Sequence, residues 1–264
     1  MATIKDVTDA FLRIAPPTDM EEGEYDNVGL LAGSLSATVT RALCCLDVTS
    51  AVIDEAIEKG AELIVAHHPM IYAPIKSVAD DSVTGAKLIK AIKNGIAIYA
   101  AHTNLDFTPD GINDYAAELL ELSDVEVMCP FGQKGAGLGR VGELTKETTA
   151  DELRELCGKA FRDDFVRIIG DKNAAIRRVA VINGAGGGDV KYIDSAIKAG
   201  ADCLVTADVK HHVAVYAVDR GFTLVEPQHY TMEHVYIEKL AQKLGALLPE
   251  VQALVSEKDV IPRV

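Results

Sequence analysis

The chain has 264 residues, 48% hydrophobic and 5% aromatic, with no tryptophan and a formal net charge of −14. That is enough apolar material for one large domain or two small ones. The acidic balance argues against a wholly basic nucleic-acid-binding surface, and the scarcity of aromatics argues against base-stacking platforms.

No apolar run approaches the about 20 residues of a membrane span. The start, Met-Ala-Thr-Ile-Lys-Asp, has no signal-peptide core. The five cysteines have no C-x-x-C spacing; Cys44, Cys45 and Cys203 read as small buried hydrophobes of a reducing, cytoplasmic compartment.

Apolar residues at Ile4, Val7, Phe11 and Ile14 predict a helix over 3–14, ended by Pro16-Pro17. Asp19 to Glu24 reads as an acidic loop. Asp26-Asn27, before Val28-Gly29-Leu30, is either a turn or a pair of polar groups presented to a site. Val39 to Val48 contains the strand-like run Ala42 to Leu46. Thr49 or Ser50 caps a helix over 51–59, and Gly60 stops it. Leu63-Ile64-Val65-Ala66 has the pattern of a buried parallel strand and ends in His67-His68-Pro69. A helix over 85–93 leads to a strand over 96–101, which runs into His102-Thr103-Asn104-Leu105-Asp106. With a helix over 113–122 the order is β-α-β-α-β, the mark of a layered α/β sheet.

In the second half, Val125 to Pro130 reads as a short strand and the glycine-rich stretch Phe131 to Gly142 as a loop with a β-turn. Thr149 caps a helix to about Phe161, and 166–169 and 178–182 read as strands. Asn183 to Asp189 is a glycine turn before a helix over 190–199, an arrangement open to anion binding. Phe222 to Val225 is a strand followed by His229-Tyr230-Thr231-Met232-Glu233. A helix over 230–243 sets His229 and Glu233 one turn apart on one face.

The halves repeat. Val52 to Val65 matches Tyr192 to Val205 at the apolar helix positions, the glycine stop and the strand, and His102-x-x-x-Asp106 has the spacing of His229-x-x-x-Glu233. Two matches in one order predict a duplicated α/β unit, with 40–106 and 178–233 as equivalent pieces. The expected organisation is a first α/β repeat over 1–128 and a second over 129–264. A pseudo-twofold between them would bring distant strand ends to a shared cleft.

A His pair alone reads more readily as one buried, hydrogen-bonded ring and one solvated ring. Three strand ends carrying His and Asp or Glu point instead to a metal site, because ligands sit outside the carboxyl ends of strands in open α/β sheets. His67, His68, Asp106, His229 and Glu233 make three imidazoles and two carboxylates, more than one tetrahedral zinc takes and few enough to leave two ions open to water. Such a pair of ions supplies a nucleophile at neutral pH. His102 reads as a ligand, a partner that orients one, or the proton-handling catalytic group. Lys210, His211 and His212 either contact an anionic substrate or form a solvated helix start with a core-facing His.

These segments resemble the GTP cyclohydrolase 1 type 2-like proteins, also called NGG-interacting-factor-like proteins. The matching stretches are Asp26 to Leu30, Ala66 to Pro69, Ala101 to Asp106, Gly139 to Gly142, Thr206-Ala207-Asp208-x-Lys210-His211-His212 and His229-x-x-x-Glu233, in family order across almost the whole chain. Gln228 and Met232 stand where members often carry glycine and Ser or Thr. The resemblance implies two intertwined, pseudo-repeated α/β units with a dinuclear metal cleft between them, in a ring-shaped homohexamer. It places two divalent ions (Zn, Fe or Mn) on His67, His68, Asp106, His229 and Glu233. It implies a metal-dependent hydrolase acting on a nucleotide or similar anionic small molecule, with a ring-shaped metal-binding scaffold or storage protein as the alternative.

Overall fold

A computed structural model describes residues 1–16, 26–132 and 134–260. The acidic stretch 19–24 and Pro17 lie outside the described residues. The chain separates into two compact units, Met1–Leu105 with Tyr236–Val264, and Asp106–Val235.

The first unit runs β1 (Ala2–Thr3), α1 (Ile4–Ile14), β2 (Gly29–Ala32), β3 (Thr38–Val39), β4 (Arg41–Cys45), α2 (Ser50–Lys59), β5 (Leu63–Ala66), α3 (Val83–Lys93) and β6 (Ala97–Ala100). α4 (Thr103–Phe107) carries the chain out of this unit. In the second unit follow α5 (Ile112–Leu119), β7 (Ser123–Pro130), β8 (Gly137–Thr149), α6 (Ala150–Ala160), β9 (Arg167–Ile169) and β10 (Ala175–Val181). A 3-10 turn (Gly184–Gly188) leads to α7 (Lys191–Lys198), β11 (Cys203–Val205), α8 (His211–Asp219), β12 (Thr223–Glu226) and α9 (His229–His234). α10 (Ile237–Leu247) and β13 (Gln252–Val255) return to the first unit.

That return places 236–264 with the first unit, while 106–128 belongs to the second, so the units differ from a cut at 128/129. β13 pairs in parallel with β4, Gln252 opposite Arg41, and so covers an edge of the first sheet that would otherwise expose unpaired backbone groups. The sheet order is β13-β4-β5-β6-β2, with β2 antiparallel to β6. The second sheet has the order β7-β8-β10-β11-β12-β9.

The predicted duplication is present. β4-β5-β6 and β10-β11-β12 are both parallel triplets in sequence order, with helices α2, α3 and α7, α8 in the crossovers. It also extends further back than residue 40. Each triplet is flanked by an antiparallel edge strand from earlier in the chain, β2 and β9. Each half opens on a helix with a threonine capping box, Thr3 with Asp6 and Thr149 with Glu152. The same backbone bonds tie those helix starts down, Ile4 N–H to Ala37 and Ala150 N–H to Ala174.

The parallel stretches 42–45, 63–66, 97–100, 179–181, 203–205 and 224–225 are apolar because both sheet faces are covered. In the second unit, Val179, Val181, Cys203, Val205 and Val225 join one buried cluster, while Ala180, Leu204 and Leu224 join another, as period two requires. In the first unit Leu43, Cys45, Ile64, Ala66 and Ile98 pack with Val52, Ile53 and Ala56 of α2. Cys44, Cys45 and Cys203 are buried as expected.

Two local expectations change. Phe131 to Gly142 is not wholly a loop, because β8 begins at Gly137. A side chain there would meet the carbonyl oxygen of Cys129 at 2.3 Å, so glycine is required by close strand approach at φ +144°. The helix expected over 230–243 is two helices, α9 and α10, separated at Val235 and Tyr236.

Candidate metal centre

In the first unit, β5 delivers His67 and His68 directly off its carboxyl end, and β6 delivers His102 two residues past its own. The backbone keeps His67 and His68 in ladder contact, their N–H groups donating to Cys45 at 3.1 Å and Leu46 at 2.9 Å. The chain then turns at Pro69, as the restriction on a residue before proline suggests. His67 is buried, while His68 and His102 are half-buried.

Each of these rings is oriented through Nδ1. His67 Nδ1 lies 2.8 Å from the carbonyl oxygen of Ala101. A carbonyl can only accept, so Nδ1 carries the hydrogen and the neutral ring presents its lone pair at Nε2. Asp47 Oδ1 holds His68 Nδ1 at 2.9 Å, and Asp26 Oδ1 holds His102 Nδ1 at 2.5 Å. Asp26 also accepts from the Thr103 hydroxyl and, at 3.3 Å, from its N–H. Burial opposes ionisation of Asp26, but the His102 and Thr103 hydrogen bonds hold its carboxyl below the ordinary value. One ring nitrogen from each of His67, His68 and His102 lies within 4.8 Å of the others. Three imidazoles fixed in this way are a donor set for a borderline divalent ion.

Asp26-Asn27 is therefore more than a turn: Asn27 Nδ2 also donates to Ile71 at 2.7 Å, fixing the loop that follows the His pair. Tyr72 on that loop meets the His102 ring edge-on, with centroids 6.2 Å apart.

In the second unit, α9 sets His229 and Glu233 one turn apart, as the spacing predicts. His229 Nε2 and Glu233 Oε2 are 2.8 Å apart, and Asp208 Oδ2 holds His229 Nδ1 at 2.7 Å. Burial opposes the charged ring, yet Glu233 and then Asp208 outweigh it and push the His229 pKa up to about 9. Gly184 lies so close that a side chain there would meet Glu233 Oε1 at 2.3 Å. The glycine turn thus makes room for the His229–Glu233 pair, whereas the sequence alone left it open to anions.

Asp106, in α4, has its backbone carbonyl bound by Asn113 Nδ2 at 3.0 Å, and Asn113 Oδ1 accepts the Asn183 N–H at 3.0 Å. Asn113 is fully buried. Lys210 is exposed, and His211 and His212 are exposed at the start of α8, so neither His faces the core. Met232 is buried in the second unit's core, so an apolar residue suits that position.

The shared His-x-x-x-acid spacing is not a shared position. Leu63 pairs with Ala97 and Cys203 pairs with Thr223. Counted along from those pairs, His102 falls opposite Gln228, and His229 falls opposite Thr103. His102 precedes its helix, whereas His229 is the first residue of α9. The same count puts His68 opposite Asp208.

The Duf34/NIF3 (NGG1p interacting factor 3) family matches residues 2–262 of this chain. The chain belongs to the Duf34/NIF3 family. Among Duf34/NIF3 relatives, the "GTP cyclohydrolase 1 type 2 homolog" of Clostridium acetobutylicum is 33% identical over 265 residues, covering 98% of this chain and 97% of the relative. Its namesake from Clostridium perfringens is 35% identical over 249 residues and 93% of each chain. The crystal structure of a Bacillus cereus protein related to NIF3 superposes with a TM-score of 0.89 at 26% identity, over 100% of this chain and 99% of that one. The Duf34/NIF3 chain described here has no helix among its described residues that is long and apolar enough to cross a membrane.

Proposed function

We propose that this protein is a dinuclear metal-dependent hydrolase acting on a nucleotide or a similar anionic small molecule. The observation that carries the reading is the orientation of four imidazoles at strand ends, each through Nδ1 to a carbonyl or carboxylate. A merely buried His needs one partner; a set of rings all turned outward by Nδ1 is the pattern of metal ligands with orienting partners.

In this reading His67, His68, Asp106, His229 and Glu233 hold two divalent ions, Zn, Fe or Mn by donor type. Bound there, the ions supply Lewis acidity and acidify water. His102 is the proton carrier. Its Nε2 is its working atom, because Asp26 occupies Nδ1, and Asp26 stabilises the ring when it carries a second proton. The low pKa of Asp26 keeps that carboxylate ionised for the task. The nucleotide class follows from the relatives' printed name, a homolog of GTP cyclohydrolase. Assembly as a ring-shaped homohexamer belongs to the same reading.

The test is turnover of a nucleotide panel by the metal-replete protein, beside His102→Gln and Asp106→Ala. Turnover of one nucleotide, reduced about a hundredfold or more in His102→Gln, supports the reading. Metal-replete protein that turns over none of them supports a metal-binding scaffold instead.

A further inference from the structure

The C-terminal strap of the chain reaches the strand end that carries His68. After β13, Ser256 N–H donates to the Cys44 carbonyl at 2.9 Å, continuing the pairing with β4. Glu55 of α2, almost fully buried, then grips the strap three times. It accepts from Ser256 Oγ at 2.5 Å, Glu257 N–H at 2.9 Å and Lys258 N–H at 3.2 Å. Lys59 Nζ, 2.8 Å from Glu55, balances its charge.

Held there, Asp259 turns inward and is only 2% exposed. Its carboxylate accepts the Leu46 N–H, and the Asp47 N–H at 3.3 Å. Those residues form the turn between β4 and α2. The Leu46 carbonyl accepts the His68 N–H at 2.9 Å, and the Asp47 side chain holds His68 Nδ1 at 2.9 Å. Asp259 therefore fixes both the residue that receives the His68 backbone and the residue that orients its ring.

We propose that Asp259 is a positioning residue of the metal centre: through Leu46 and Asp47 it sets the orientation of His68, so the end of the chain tunes metal affinity without touching the metal. A carboxylate bonded to backbone N–H groups in a buried setting makes strong, charge-assisted bonds, which suits it to fixing a turn rather than merely covering it. The inference rests on His68 being a ligand, as proposed above.

The experiment is a double-mutant cycle on the full chain with zinc as the probe. Affinity is read by competition with a chromophoric chelator, and ligand geometry by the visible spectrum of the cobalt-substituted protein. Asp259→Ala should weaken zinc binding about tenfold and Asp47→Ala about ten- to a hundredfold, the range of orienting partners of metal-bound histidines. The double variant should bind no more weakly than Asp47→Ala, because both act on the same ring. A merely structural role would give Asp259→Ala no effect on affinity, or the same loss in both backgrounds, and either result overturns the proposal. Should Asp259→Ala fail to fold, Asp259→Asn completes the cycle with the same readings. Wild-type protein that binds no zinc would overturn the metal reading as a whole, whereas wild type that binds zinc as tightly as Asp259→Ala overturns only this inference.

Discussion

The β4-β5-β6 half and the β10-β11-β12 half keep the same scaffold and have diverged at the strand ends. At the beginnings of the strands the two agree in detail. Glu62 accepts the N–H groups of Thr40 and Arg41, and Asp202 accepts those of Arg177 and Arg178. Arg41 reaches the carbonyl of Lys59 at the end of α2, and Arg178 reaches that of Ala199 at the end of α7. Helix–helix pairs recur too, Lys90 of α3 with Asp54 of α2 and Tyr216 of α8 with Asp194 of α7. Glu62, Asp202, Arg41 and Arg178 satisfy backbone donors and acceptors that the fold leaves open in either copy.

At the carboxyl ends the same position has changed role. His68, a candidate ligand, stands opposite Asp208, which orients the candidate ligand His229. His102 stands opposite Gln228. Duplicated elements retain what every copy needs to fold, while the strand ends, relieved of that duty, are free to change.

Replacing a ligand should cost most: His68→Ala and His229→Ala should each lower zinc affinity by more than about a hundredfold, beyond the range of an orienting partner. Metal analysis after dialysis checks this, and retention of two ions in either variant would break the assignment. Replacing the orienting carboxylates, Asp47→Ala in one half and Asp208→Ala in the other, should cost about ten- to a hundredfold each in competition titrations. Unequal losses would show that the halves do not support their histidines alike.

The His229 ring gives a pH signature of opposite sign with and without metal. In the metal-free protein its pKa is raised to about 9. A raised value stabilises the folded state fully below the ordinary value of about 6.5, and this is lost as pH rises through about 9. The metal-free Tm should therefore fall between about pH 7 and 10 by more in wild type than in His229→Gln. Metal binding needs the neutral ring, so at about pH 7.5 it should release a proton. Calorimetry in buffers of different ionisation enthalpy reads this as different apparent heats, and equal heats would count against it.

The smallest effects concern the shared scaffold. Thr3→Ala and Thr149→Ala remove equivalent helix caps and should each cost about 1 kcal/mol in urea unfolding. A loss in one half alone would show that the two helix starts are equivalent in geometry but not in weight.

Much of this was legible in the sequence. Apolar runs ending in His67-His68, His102 and His229 marked the strand ends, and the repeat marked the topology, because period and punctuation are local properties. What was not legible depends on register and on long-range pairing. The matched His-x-x-x-acid spacings conceal a one-residue offset, since spacing does not say whether a His precedes a helix or begins it. Asp208 was within reach, as the residue that replaces His68 in the repeat. Asp47, Asn113 and Asp259 were not: Asp259 meets Leu46 only because β13 joins β4, and nothing local to 252–259 announces that choice of edge.

The proposed metal centre draws its ligands from both halves. Anomalous diffraction at the zinc edge from crystals of the zinc-loaded protein tests it most directly. Two peaks are expected, with ligand atoms of His67, His68, Asp106, His229 and Glu233 about 2.0–2.2 Å away. A single peak held by His67, His68 and His102 alone, with His229 and Glu233 bound only to each other, would contradict it.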